Sequence, residues 1–283
     1  MSQKLDTIKD RGDVTHYAKM YTYPCGVVDI LCSTQPIFRE SGYEPFTWAK
    51  PRKKTAKSET HKPEPKEEDI ARSMRRAKSR VRRLALSNDF RWFVTLTLSP
   101  EKVDRYDDTQ VLRKLTNWCS NQVKRRGLKY ILVPERHKDG ALHFHGFFSD
   151  ALEATASGHR DRNGHMIYNL PGWSLGFTAA IQVYGDYAGA VAYVCKYIGK
   201  QGDKPAGRWY YSGGELCEPE VTYGELSPRE LREEYGEKCF VFDVPGATMA
   251  VCNGIRPDQD GADSPAWEGT EEDMQDVIKT RLD

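Results

Sequence analysis

Two histidines separated by a single residue are the first side chains in this sequence that could do chemistry. His143 and His145 lie in the strand-like run 142–148, and alternate residues of a strand point to the same face of a sheet. Two imidazoles on one face can bind a divalent cation, but they need a third ligand. Without one, the pair also fits a strand that simply exposes two polar residues.

The segment before the histidines suggests the third ligand through its hairpin turn. A two-residue turn at Asp139-Gly140 would place Glu135 opposite Phe144, on the wrong face of the sheet. A three-residue loop, Lys138-Asp139-Gly140, with glycine in the left-handed position, instead places Glu135 opposite His143. We predict the second register, because opposed side chains lie about 5 Å apart at Cβ and can share an ion.

This register predicts a metal site made of Glu135, His143 and His145. His137 lies on the same strand face as Glu135 and is the reserve ligand. Two imidazoles and one carboxylate also suit Zn, Fe(II) or Mn, so the ligand types do not identify the metal.

A doubled Tyr-x-x-Lys pattern forms the second candidate group. Tyr193 and Tyr197 are one helical turn apart, about 5–6 Å between Cβ atoms, with Lys196 and Lys200 predicted in a parallel row beside them. A phenol ionises near pH 10, so a nucleophilic tyrosine needs nearby positive charge, which lysines and a cation supply. Tyrosines on an amphipathic helix are also common as plain packing residues.

The elements that must position these groups follow from hydrophobic patterning. Residues 92–98 alternate as a strand, and Thr95 and Thr97 share a face that could line the site or simply form sheet. The element order β-α-β-β-(β)-α-β predicts an α+β fold, with a ferredoxin-like (RRM-like) antiparallel sheet and helices on one face.

Charge is distributed very unevenly along the 283 residues. The net charge is only +1, yet residues 51–83 hold thirteen Lys/Arg and five Asp/Glu. Residues 258–283 hold nine acidic and two basic residues. The chain before this tail therefore suits a polyanion such as nucleic acid, whereas the tail does not.

Hydropathy and cysteine spacing indicate the compartment. No apolar run approaches the roughly 20 residues needed to cross a bilayer, and the N-terminus lacks the apolar core of a secretion signal. The seven cysteines are scattered and never spaced as Cys-x-x-Cys, which favours reduced thiols over a disulfide framework. We expect a cytoplasmic protein without a membrane partner.

Three short motifs in order resemble those of the HUH endonucleases. They are 93–98, then Glu135 with His143-Phe144-His145-Gly146, then Tyr193-Val194-Cys195-Lys196-Tyr197. The closest likeness is to rolling-circle replication initiators of single-stranded DNA phages, the phage A protein and filamentous-phage gene II protein groups. The resemblance covers about residues 91–211.

The resemblance implies an HUH endonuclease fold and a division of the chain into four parts. These are an N-terminal segment of unknown role (1–50), a basic linker and amphipathic helix (51–87), the endonuclease domain (88–250) and an acidic, disordered tail (251–283).

The resemblance also implies a reaction. Glu135, His143 and His145 would bind Mg²⁺ or Mn²⁺, and a tyrosine would nick origin DNA, leaving a 5′-phosphotyrosyl link and a free 3′-hydroxyl. Either tyrosine could act first, and Tyr193 is favoured. The implied partners are single-stranded or hairpin origin DNA and the replication helicase and polymerase of a bacterial host, in whose cytoplasm it would act. The alternatives are a relaxase or single-strand transposase, or a non-catalytic module that binds single-stranded nucleic acid.

Overall fold

The computed structural model describes residues 14–40, 66–183, 185, 187–200 and 204–256. In chain order the strands are β1 (Val14–His16), β2 (Ala18–Thr22), β3 (Val28–Ser33), β4 (Phe38–Glu40), β5 (Trp92–Leu98), β6 (Tyr130–Arg136), β7 (Leu142–Phe148), β8 (Thr155–Arg160), β9 (Met166–Asn169), β10 (Gly176–Gln182), β11 (Tyr211–Gly213), β12 (Glu220–Gly224), β13 (Cys239–Val244) and β14 (Ala247–Ile255). The helices are α1 (Glu67–Leu86), α2 (Asp108–Arg126), α3 (Tyr187–Tyr197) and α4 (Pro228–Tyr235).

The chain folds as two compact units. Residues 66–219 form one of them, which we call the seven-stranded unit. Residues 14–40 and 220–256 belong to the other, the five-stranded unit. All residues singled out by the sequence motifs lie in the seven-stranded unit.

The seven-stranded unit is built on an antiparallel sheet with the strand order β11-β6-β7-β5-β10-β9-β8. One face of this sheet packs against α2 and forms the main apolar core. Members of that core include Trp92, Val94, Leu96, Leu115, Trp118, Leu132, Phe144 and Phe148.

The opposite face of the sheet lies beneath α3, which in turn packs against α1. The ring of Phe93 meets the ring of Tyr193 edge-on, with 5.7 Å between centroids. The ring of Phe147 lies 6.2 Å from that of Tyr187. This face therefore carries both apolar packing and, on β6 and β7, the histidines and Glu135.

The expected α+β class with an antiparallel sheet is confirmed, but the helices are not gathered on one face. Both faces of β5 and β7 carry large apolar side chains, such as Leu96 on one and Phe93 on the other, and each face has to be covered. α2 covers the first and α3 the second.

Two details of the strand prediction also differ from the structure. The strand expected at 208–211 begins only at Tyr211. The hairpin β8–β9 extends the sheet, although β8 is almost entirely exposed and so lacks the alternation that identifies a half-buried strand.

The five-stranded unit has the strand order β12-β2-β3-β14-β13, and α4 packs on one of its faces. Its core contains Ile30, Cys32, Leu231, Ala250 and Cys252. These pairings differ from the expected division of the chain, which kept 1–50 apart from 88–250. Strands β12 to β14 pair with β2 and β3 about 200 residues away in sequence, and no local pattern encodes a partner at that distance.

The predicted amphipathic helix of the basic segment is observed as α1, with Ala77, Val81 and Leu84 buried. The predicted linker at 51–65 and the acidic tail beyond residue 256 lie outside the described residues. All seven cysteines are free thiols. Among the described residues, no helix is long and apolar enough to span a membrane.

Gly146, the residue after His145, provides a test of how tightly β6 and β7 approach. A Cβ atom at this position would lie 1.9 Å from the carbonyl oxygen of Ile131. We expect Gly146→Ala to lower the free energy of unfolding by about 2 kcal/mol or more, because backbone would have to move. Urea unfolding measures this. Gly172→Ala is the matched control, since nothing lies within 4 Å of its added Cβ, and an equal loss in both variants would contradict the close approach.

Candidate metal and tyrosine site

The hairpin between β6 and β7 sets the geometry of the site. Its pairing places Glu135 directly opposite His143, so the predicted register is confirmed. The N–H of His137 donates to the carbonyl of Ala141, which closes a three-residue loop with Gly140 at φ +88°. Glycine adopts this left-handed conformation without steric cost.

Three buried side chains converge on this face of the sheet. The Oε2 atom of Glu135 lies 3.2 Å from Nε2 of His143 and 2.9 Å from Nε2 of His145. One ligand atom from each residue lies within 4.8 Å of the others. The predicted ligands are therefore brought together, each less than a tenth exposed.

Neighbouring groups fix the orientation of these ligands. The Oγ1 atom of Thr95, which is fully buried, lies 3.1 Å from Nδ1 of His145. The Nζ atom of Lys200 lies 3.0 Å from Oε1 of Glu135. Oε1 is thus held by the lysine, and Oε2 is left facing the two imidazoles.

Electrostatics favour the protonation states that bind a cation. Burial would raise the pKa of Glu135, but hydrogen bonds and charge from His143 and His145 outweigh it and hold this pKa well below its ordinary value. Burial lowers the pKa of His145 to about 4. At neutral pH the site presents a carboxylate and, at His145, a neutral imidazole, as metal ligation requires.

The donor set fits a divalent cation. Nε2 of His145 is buried and has no hydrogen-bond partner, although Oε2 of Glu135 is near, because the two atoms do not meet in hydrogen-bonding geometry. When Nδ1–H donates to Thr95, Nε2 keeps the lone pair that a metal needs. The three side chains can hold a divalent ion, and their types do not identify which one.

Both tyrosines of α3 lie on the same side of the sheet as these ligands. The ring of Tyr197 stacks on the imidazole of His145, with 4.0 Å between centroids and 13° between planes. The hydroxyl of Tyr197 donates to that of Tyr193 over 2.9 Å. Tyr197 is 5% exposed and Tyr193 is half-buried.

The two lysines do not form the helical row that their spacing predicted. Lys196 lies on α3, with its Nζ 6.0 Å from the centroid of the Tyr193 ring. The helix ends at Tyr197, and Gly199 turns the chain in the left-handed conformation, with φ +79°. Lys200 consequently leaves the helix and pairs with Glu135, a contact that helical spacing gives no signal of.

The remaining expected residues lie around the group. Thr97 is half-buried and opposite His143 in the β5–β7 register. His137 is exposed at the rim, 5.8 Å from the ring of His143, and pairs with Asp139. It does not join the three converging ligands.

An ion pair that sequence reasoning missed holds the hairpin loop. Nη2 of Arg136 lies 2.6 Å from the carboxylate of Asp108 at the start of α2, and Nη1 donates to the carbonyl of Gly140. The two charges lie 28 positions apart on different elements, so no sequence spacing indicates the pair.

The comparisons with known proteins bear on this part of the chain. Residues 91–202 match the model of the replication-associated protein family that comprises the ORF2 and gene II proteins. The match begins next to β5 and contains every residue of the site from Thr95 to Lys200. It confirms, over that stretch, the resemblance to rolling-circle replication-associated proteins. No curated protein and no solved structure matches the chain.

Metal binding within this replication-associated segment can be measured directly. We expect Mn²⁺ at 100 times its Kd to stabilise the protein by about 2.7 kcal/mol, because it binds only the folded site. His143→Ala and His145→Ala should abolish this stabilisation in thermal unfolding scans. His159→Ala, an exposed histidine on β8, is the control. Mn²⁺ stabilisation that survived both site substitutions would place the ion elsewhere.

The depressed pKa of His145 also predicts an acid sensitivity of the metal-free protein. An unfolded histidine titrates near 6.5, whereas the folded one titrates near 4. Its stabilising contribution is therefore complete above pH 6.5 and is lost as the pH falls towards 4, since only the unfolded chain takes up the proton. Urea unfolding in EDTA should show a smaller loss between pH 7 and 4.5 for His145→Gln than for wild type. Parallel pH profiles for the two proteins would contradict the assignment.

Proposed function

We propose that this protein nicks and rejoins single-stranded origin DNA to initiate rolling-circle replication, with a tyrosine as the nucleophile. One observation carries the proposal. Two hydrogen-bonded phenols lie against a buried Glu-His-His group, with Tyr197 stacked on the His145 ligand. The family match supports a role in replication, and the geometry supports the chemistry.

Glu135, His143 and His145 would hold the metal ion, which we propose to be Mg²⁺ or Mn²⁺. When bound, such an ion polarises the scissile phosphate and offsets the charge that develops on its oxygens. Thr95 orients the imidazole of His145, and Lys200 orients the carboxylate of Glu135. Both contacts limit the freedom of the ligands before DNA arrives.

Tyr193 is the proposed first nucleophile. Its oxygen accepts a hydrogen bond from the hydroxyl of Tyr197, and Lys196 lies beside its ring. Both contacts stabilise a phenolate at Tyr193. Tyr193 is also the less buried of the two phenols, which leaves it accessible to a DNA phosphate.

The proposed step balances without a further reactant. The phenolic oxygen of Tyr193 bonds to phosphorus and loses its proton, while the bond from phosphorus to the 3′ oxygen breaks. The departing oxygen takes up a proton and becomes the 3′-hydroxyl, from which a host polymerase could extend, with a host helicase opening the duplex ahead. Attack of that hydroxyl, or of a second strand's, on the phosphotyrosine reverses the step and rejoins DNA. Tyr197 would act in the second transfer.

Covalent capture of DNA tests the proposal. A random library of single-stranded oligonucleotides is incubated with protein and Mn²⁺, and linked DNA is recovered from denaturing gels and sequenced. We expect a phosphotyrosyl adduct with wild type, and at least about 100-fold less with Tyr193→Phe, because phenylalanine has no nucleophilic oxygen.

The controls separate chemistry from folding. Tyr106→Phe, at a 57% exposed tyrosine, should form as much adduct as wild type, and EDTA or His143→Ala should prevent it. Tyr197→Phe should lower the yield less than Tyr193→Phe does. An undiminished adduct in the Tyr193→Phe/Tyr197→Phe double variant would exclude a tyrosine of α3 as the nucleophile.

A further inference from the structure

A second site lies on the opposite face of the same sheet. A cavity of about 470 Å³ opens beside β11, the edge strand, and is lined by Thr116 of α2, Tyr130 of β6 and residues of the segment 204–212. Tyr130 and Tyr211 face α2, as the pairing of β6 and β11 requires. Glu135, an odd number of residues from Tyr130 on the same strand, faces the other way.

Two cations stand at this cavity. The Nζ atom of Lys204 lies 5.6 Å from the ring of Trp209, and the guanidinium carbon of Arg208 lies 5.8 Å from the ring of Tyr211. Both side chains are exposed. Neither pairs with a carboxylate in the part of the chain that the structure describes, so their charge is available to an anion.

The combination of aromatic rings and cations limits the class of ligand. Proteins that bind single-stranded nucleic acid pair basic side chains, which contact phosphates, with aromatic rings, on which bases stack. The cavity volume falls within the range of pockets for small ligands, which suits one nucleotide rather than a duplex. Phosphate and base would then contact different walls of one cavity.

We infer that this cavity is a second subsite for single-stranded DNA, which holds a nucleotide away from the nicked bond. The inference rests on the proposed function for the identity of the strand. Tyr130 and Glu135 are five residues apart on β6, about 17 Å. β11 ends the sheet on this side, so a strand can pass around this edge from one face to the other.

Binding without cleavage tests the subsite. Fluorescence anisotropy with labelled single-stranded oligonucleotides in EDTA measures affinity while nicking is blocked. We expect Lys204→Ala and Arg208→Ala each to weaken binding by roughly tenfold. Each should also reduce the slope of log affinity against log salt by about 0.7, because one phosphate contact is lost. Arg208→Lys should retain part of the affinity, since it keeps the charge.

Arg126→Ala is the matched control, because it removes one cation from the exposed C-terminal turn of α2, outside the cavity. It should bind as wild type does. Thermal unfolding of each variant verifies that it is folded. Unchanged affinity of the Lys204 and Arg208 variants, or an equal loss in Arg126→Ala, overturns the subsite.

Photocrosslinking locates the base independently of affinity. An oligonucleotide with 5-iodouracil at successive positions should crosslink to Tyr130 or to the peptide 204–213. Crosslinks confined to the α3 face would overturn the proposal. Adduct formation with intact affinity in the cavity variants would reject the subsite alone, whereas cavity-dependent binding without any adduct would reject the proposed nicking alone.

Discussion

A buried carboxylate between two imidazoles is the interaction on which the site depends. Glu135 is 5% exposed, and a buried charge is costly unless it is paired and hydrogen-bonded. Its two oxygens are divided, with Oε1 at Lys200 and Oε2 at the histidines. One residue therefore ties β6, β7 and the segment after α3 together, and the fold and the candidate chemistry share the same contacts.

The two faces of the seven-stranded sheet have separate roles. The face beneath α2 holds most of the apolar core, so its packing can stabilise the strands without polar groups. The face beneath α3 holds the ligands and the phenols, buttressed by Phe93, whose ring contacts Tyr193. Because α2 stabilises β6 and β7 from behind, the polar groups of the other face need not supply the stability of the sheet.

Positions near the end of α3 illustrate the limit of helical spacing as evidence. The spacing of Tyr193 and Tyr197 correctly placed both phenols on one side of a helix. The same reasoning failed for Lys200, because Gly199 leaves the helix in the left-handed conformation. Where a helix ends is decided by backbone conformation and by what the chain meets next. Lys200 meets Glu135, on a strand 65 positions earlier.

The sequence by itself determined the local geometry: strand parity, the three-residue loop and the resulting placement of Glu135 opposite His143, because these follow from the period of a strand and the conformation of glycine. It also predicted the α+β class and the helix α1. Only the tertiary structure decided which helix covers which face, the pairing of β2 and β3 with β12 and β14, and the link from Lys200 to Glu135. Those depend on which distant surfaces bury each other, and hydrophobic packing carries no sequence address.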